Sequence, residues 1–97
     1  MLTYEKVLDV FRDYLAEDAM FEIVMTHNGY IMLEWDERTK ECLEAHTCRT
    51  PEAMLDELLG AYGNYVEFGL THGQRELTTA DEAEIRRKQQ AMADKCK

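Results

Sequence analysis

Apolar residues recur at helical spacing over residues 3 to 18, where Tyr4, Val7, Leu8, Phe11, Tyr14 and Leu15 fall on one stripe and Thr3 stands ready to cap the first turn. From Met20 to Asp36 the period shortens to two. The stretch MFEIVMTHNGYIMLEWD holds two strand-like runs on either side of His27, Asn28 and Gly29. Asn and Gly both tolerate positive φ, so this pattern predicts a hairpin with strands at 20–26 and 30–36. A two-residue loop at Asn28-Gly29 would set Thr26 opposite Ile31 and Ile23 opposite Glu34, mixing apolar and charged residues on each face. A three-residue loop with Gly29 in the left-handed region sets Met25 opposite Ile31, Ile23 opposite Leu33 and Phe21 opposite Trp35. That arrangement gives one wholly apolar face and is the register expected, at the cost of a like-charge pair between Glu22 and Glu34 on the other face.

The chain after the hairpin supplies three more elements. Asp36 to Lys40 is a charged connection, and residues 41–48 alternate as a third strand with Leu43, Ala45 and Thr47 on one side. Thr50-Pro51-Glu52 opens a helix over 51–68, since Pro suits the first helical position and Met54, Leu55, Leu58, Leu59, Tyr62 and Val66 keep a helical stripe. Val66, Phe68 and Leu70 also alternate, which leaves a short strand at 65–70 as the competing assignment. Gly60 and Gly63 would allow another backbone to come close. Thr79 and Glu82 fit a capping box that starts a last helix over 79–95. Its stripe of Ile85, Met92 and Cys96 is thin, so the helix is expected to lie loosely on the body. The predicted architecture is α+β, in one domain over 1–97. The order is α-β-β-β-α-α, a three-stranded antiparallel meander packed against helices. The expected core is Val7, Leu8, Phe11, Leu15, Phe21, Ile23, Ile31, Leu33, Trp35, Leu43, Leu55, Leu58, Leu59 and Tyr62.

Composition narrows the class. At 97 residues and 45% hydrophobic, the chain can build one core of marginal size. It has no apolar run near the roughly 18 residues of a membrane span, and its first residues lack the basic-then-apolar layout of a signal peptide, so a cytoplasmic protein without membrane contact is expected. Charge is uneven. Residues 1–84 carry 19 Asp and Glu against 6 Lys and Arg, whereas residues 85–97 carry 1 against 5. An acidic body repels nucleic acid and favours basic protein surfaces. The basic run Arg86-Arg87-Lys88 complements the dipole of the last helix, and direct nucleic-acid binding is not expected.

Candidate chemistry is sparse. The chain has no Ser, and His27, His46 and His72 fall in a turn, on a strand and in a loop, outside any nucleophile or base constellation. With 20 acids, chance spacings imitate any catalytic carboxylate pair. Cys42, Cys48 and Cys96 are odd in number and lack CxxC spacing. Cys42 and Cys48 would sit about 20 Å apart along one strand, too far to share an ion, which leaves open only a site built from His46, Cys48 and a distant ligand. No enzyme, cofactor or metal is expected.

One pattern is specific enough to name residues. Glu5, Asp9, Asp13 and Glu17 follow at intervals of four, which sets them along one ridge of the first helix at about 6 Å per step, like a run of backbone phosphates. In element order, acidic charge and lack of Ser, the chain resembles the short anti-CRISPR proteins of phages and mobile elements, in particular a type II family that imitates DNA. The resemblance implies a non-catalytic inhibitor, without cofactor, of a basic nucleic-acid-binding nuclease. The contact residues expected from the acidic rows are Glu5, Asp9, Asp13 and Glu17 on the helix and Glu22, Glu34, Asp36 and Glu37 on and after the hairpin. The competing expectation is a self-associating structural or regulatory subunit, a homodimer, whose acids serve solubility. Its support is an apolar strip of Met20, Val24, Tyr30 and Met32 on the second hairpin face.

Overall fold

The computed structural model of the protein describes all 97 residues as α1 (Tyr4–Glu17), β1 (Phe21–Thr26), β2 (Gly29–Trp35), β3 (Cys42–Cys48), α2 (Pro51–Thr71) and α3 (Thr79–Lys95). The order is the expected α-β-β-β-α-α, and the three strands form one antiparallel sheet in the sequence β1-β2-β3. Each helix starts where a side chain satisfies its orphan N–H groups. Thr3 Oγ1 accepts from Lys6 N, Thr50 Oγ1 from Ala53 N, and Thr78 Oγ1 from Asp81 N. The last cap falls one residue earlier than expected: the capping box is Thr78 with Asp81, not Thr79 with Glu82. The Asp81 carboxylate closes it by accepting from Thr78 N, and also takes a fork from Arg75, whose guanidinium bonds the Leu70 carbonyl as well. That charged fork is the stronger option, so it selects the box.

Residues 65–70 are helical. α2 continues to Thr71, three residues beyond the expected end, and stops where His72 takes the left-handed conformation with Gly73 following at φ 69°. β1 and β2 are joined by a two-residue turn, His27-Asn28, instead of the expected three-residue loop. Thr26 explains the choice. Its hydroxyl donates to the Gly29 carbonyl at 2.9 Å and accepts from Asn28 N at 3.0 Å, and Gly29, at φ 105°, becomes the first residue of β2 opposite Thr26.

This register pairs Ile23 with Met32, Val24 with Ile31 and Phe21 with Glu34. β1 therefore faces the helices with Phe21 and Ile23 as expected, but β2 does so with Tyr30 and Met32. Ile31, Leu33 and Trp35, expected in the core, lie on the opposite face of the sheet with Val24, and none of them joins the core cluster. Leu43, also expected inside, is 51% exposed beside the bulge at Glu34/Trp35. The Glu22–Glu34 clash disappears, because Glu22 now opposes Leu33 and accepts from Trp35 Nε1 at 2.9 Å, while Glu34 points to the other face. Glu34 instead lies opposite Glu44 of β3, so a like-charge pair persists on the other face and does not by itself favour this register. Tyr30 and Met32 are therefore removed from any exposed apolar strip.

The core lies between the sheet and the helices. Val7, Phe11 and Tyr14 from α1 meet Met54, Leu58 and Ala61 from α2, with Met32 and Cys48 below and Met92 of α3 and its C-cap Cys96 behind. Tyr4 ties α1 to the sheet, its ring 4.7 Å from that of Tyr30 and its hydroxyl donating to the Cys48 carbonyl. α3 is held firmly, contrary to the expectation from its thin stripe. Gln89 Nε2 donates to the Leu59 carbonyl at 2.8 Å, through space that exists because residue 63 is Gly: a Cβ there would collide with the Gln89 side chain. Gly60 faces open space. The molecule is a plate of 42 × 36 × 19 Å, and its radius of gyration of 13.9 Å exceeds the roughly 12.5 Å of a compact chain of this length. One-sided cover of the sheet accounts for the flattening, and both β1 and β3 keep an unpaired edge.

The register makes a contrast that urea titration reads directly. Met32→Ala, at a site 2% exposed, is expected to cost about 2–5 kcal/mol. Leu33→Ala, on the open face, is expected to cost less than half as much, and the reverse order would restore the three-residue loop.

Candidate partner-binding surface

The four α1 carboxylates are exposed and lie along one ridge facing away from the core. Asp13 is fully exposed at the side chain and Asp9 is 65% exposed. Arg12 sits between them, 3.4 Å from Asp9 and 3.9 Å from Asp13. Ion pairs this exposed contribute about 0–1 kcal/mol and leave the ridge acidic overall. Glu17, at the last turn, accepts a hydrogen bond from the Tyr65 hydroxyl of α2 at 2.7 Å.

The hairpin carboxylates do not extend this ridge as one surface. Glu22 lies on the open sheet face, held by Trp35. Glu34 lines a cleft of about 390 Å³ between the sheet and α2, together with His46, Asp56 and Glu57. Asp36 shapes the β2–β3 connection, its Oδ1 accepting from the amides of Arg38 and Thr39, while Glu37 is exposed in the same turn. Of the eight candidate residues, the fold aligns the four on α1 and disperses the four near the hairpin.

Where the ridge meets α2, three tyrosines gather that the sequence pattern assigned to the buried stripes or left aside. Tyr14 of α1 stands edge-on to Tyr62 and Tyr65 of α2, at 5.3 and 5.2 Å between ring centres. Tyr62 and Tyr65 lie within 22° of parallel, 6.5 Å apart. Tyr14 donates to Asp18 at 2.6 Å. Burial first, and then this bond, push its phenol up far beyond the usual tyrosine range; the bond to Glu17 pushes Tyr65 up as well. Tyr62 and Tyr65 stand three apart on a helix, a visible signal; that the end of α1 would cross them was not.

Groups suited to covalent or metal chemistry are kept apart. Cys48 and Cys96 are buried, and burial pushes both thiols up; Cys42 is exposed on β3. His46 is bonded to Glu44 at 2.8 Å, and no three His, Cys, Asp or Glu side chains converge to hold an ion. On α3, Arg87 and Lys88 pair with Glu84 of their own helix, not with the acidic body. No helix is long and apolar enough to cross a membrane. No family model, curated protein or solved structure matches the chain.

The tyrosine cluster sets an alkaline limit on stability. A phenol with a raised pKa in the folded state stabilises fully below the unfolded value near 10, and that contribution fades as pH climbs past it. Tyr14→Phe is expected to lose about 1 kcal/mol at pH 7 with the Asp18 bond. Its deficit relative to the parent protein should shrink between about pH 9.5 and 11, as followed by urea unfolding at each pH.

Proposed function

We propose that this protein is a non-catalytic acidic inhibitor that offers the α1 ridge to a basic groove built to hold nucleic-acid phosphates. The observation that carries the reading is the alignment of Glu5, Asp9, Asp13 and Glu17 on one exposed, rigid helix face spanning about 18 Å. A groove lined with Lys and Arg neutralises such a row as it neutralises a phosphate strand, and a preformed helix loses little entropy on docking. The anti-CRISPR proteins that the chain resembles act on targets of this kind, and a DNA-handling nuclease is the partner class proposed. The contact surface is drawn on α1 alone, since Glu22, Glu34 and Asp36 are engaged within the fold and Glu37 lies in the β2–β3 turn.

A second reading has its own observation: Val24, Ile31, Leu33, Trp35 and the half-exposed Leu43 leave one sheet face apolar and without helical cover. Stacking of that face on a second copy would make a homodimer in which the acids serve solubility.

The two readings differ in their response to salt. Capture of a basic nucleic-acid enzyme from host lysate at about 0.1 M salt, release by a salt step and competition by free DNA are expected for the inhibitor. Asp9→Lys with Asp13→Lys should abolish capture and leave the unfolding midpoint unchanged, because both side chains are exposed. Capture unaffected by the double variant, with a dimer that persists at high salt and dissociates in Leu33→Lys, would replace the inhibitor with the self-associating subunit.

A further inference from the structure

The end of the α1 ridge opens into a cleft of about 250 Å³ between α1, α2 and the last turn of α3. Its walls are Tyr14, Tyr62 and Tyr65, with Met92 beside them and the carboxylates of Asp13 and Glu17 at the rim. The three rings, together a tyrosine box, pack directly on one another, Tyr62 and Tyr65 nearly parallel and Tyr14 edge-on to both, so the cleft presents their outer surfaces. The volume lies below the roughly 300–1,000 Å³ of a small-molecule pocket and suits one side chain.

Chemistry narrows the occupant. Aromatic faces attract cations, Tyr among the better ones, and the attraction grows as water is excluded. The carboxylates add a full negative charge on the same side, and the hydroxyls of Tyr14 and Tyr65 are already committed to Asp18 and Glu17. That leaves the outer faces of Tyr62 and Tyr65, the Tyr62 hydroxyl and the outer carboxylate oxygens as the groups presented to a ligand. A planar guanidinium can stack on a tyrosine and fork to a carboxylate in one placement, which an ammonium cannot do. Lys95 also lines the cleft, the one cationic side chain to do so, and it pairs with no carboxylate.

We propose that the tyrosine box is a receptor for a single arginine side chain of the basic partner, anchoring one end of the α1 ridge, with Lys95 as a weak internal competitor at its mouth. This rests on the reading of the protein as an acidic inhibitor, but it can be tested without the partner.

The probe is N-acetyl-arginine amide, titrated into the full chain while the tyrosine ring resonances are followed by NMR. Saturable shifts of Tyr62 and Tyr65 are expected with a Kd of about 1 mM, the scale for a ligand of this size. Tyr65→Leu should weaken binding by about two- to thirty-fold, the range of one cation–π contact, and Glu17→Gln by about two- to five-fold, that of an exposed charge contact. Tyr65→Phe should keep most of the affinity, since it keeps the ring face, and Lys95→Gln should tighten binding about two-fold or more by removing the competitor. The unfolding midpoint of each variant shows that the fold is intact. The proposal is overturned if the shifts never saturate, if Tyr65→Leu binds as the parent does, or if N-acetyl-lysine amide binds equally well. Loss of probe binding in a protein whose capture still depends on Asp9 and Asp13 removes the box alone; probe binding with no such capture removes the inhibitor reading alone.

Discussion

Thr26 decides which half of β2 is inside. Its hydroxyl closes the turn over Asn28 and Gly29, and a turn one residue shorter shifts the pairing of β1 and β2 by one residue. Because side chains alternate, a shift of one residue exchanges the faces of a strand. Everything above the sheet follows. Met32 joins the core cluster that holds Met54 and Leu58 of α2, Tyr30 meets Tyr4, and Cys48 of β3 offers its carbonyl to the Tyr4 hydroxyl. Three helices are enough to cover one face of a three-stranded sheet, so the face carrying Ile31, Leu33 and Trp35 stays open.

The helices were legible because their signals are local. Thr3 and Thr50 cap where side-chain chemistry says they should, Pro51 takes the first turn, and the α1 stripe buries Val7, Phe11 and Tyr14. The hairpin was legible as a hairpin but not in its register. β2 is apolar at 30, 31, 32, 33 and 35, so burial patterning gave nearly equal support to both faces, and the decision passed to a single hydroxyl. The hold on α3 was hidden for another reason: Met92 and Cys96 were visible as a stripe, but the Gln89 bond to the Leu59 carbonyl exists only when two distant segments meet. The tyrosine box is of the same kind. Its residues sit 48 or more positions apart across α1 and α2, and only the crossing of the two helices assembles them.

Charge and shape meet at one end of the molecule. The acidic row on α1 was readable from spacing alone, and the fold keeps it exposed. The acids near the hairpin were read as its continuation, yet the pairing of the strands sends Glu22 and Glu34 to opposite faces and ties Asp36 into a turn. What the fold adds is at the far end of the row, where Glu17 reaches across to Tyr65 and the helix surface changes from purely charged to charged and aromatic.

The glycine at 63 has a further consequence. The Gln89 amide reaches the Leu59 carbonyl only through the gap left by an absent side chain, and the neighbouring positions on α2 offer no equivalent keyhole on that side, since Gly60 faces open space. Sliding α3 by one turn would bring Arg86 or Met92 over the notch, and neither can donate a neutral amide to it. α3 is thus indexed on α2 like a key with one cut, its register marked by the one bond that the missing side chain admits.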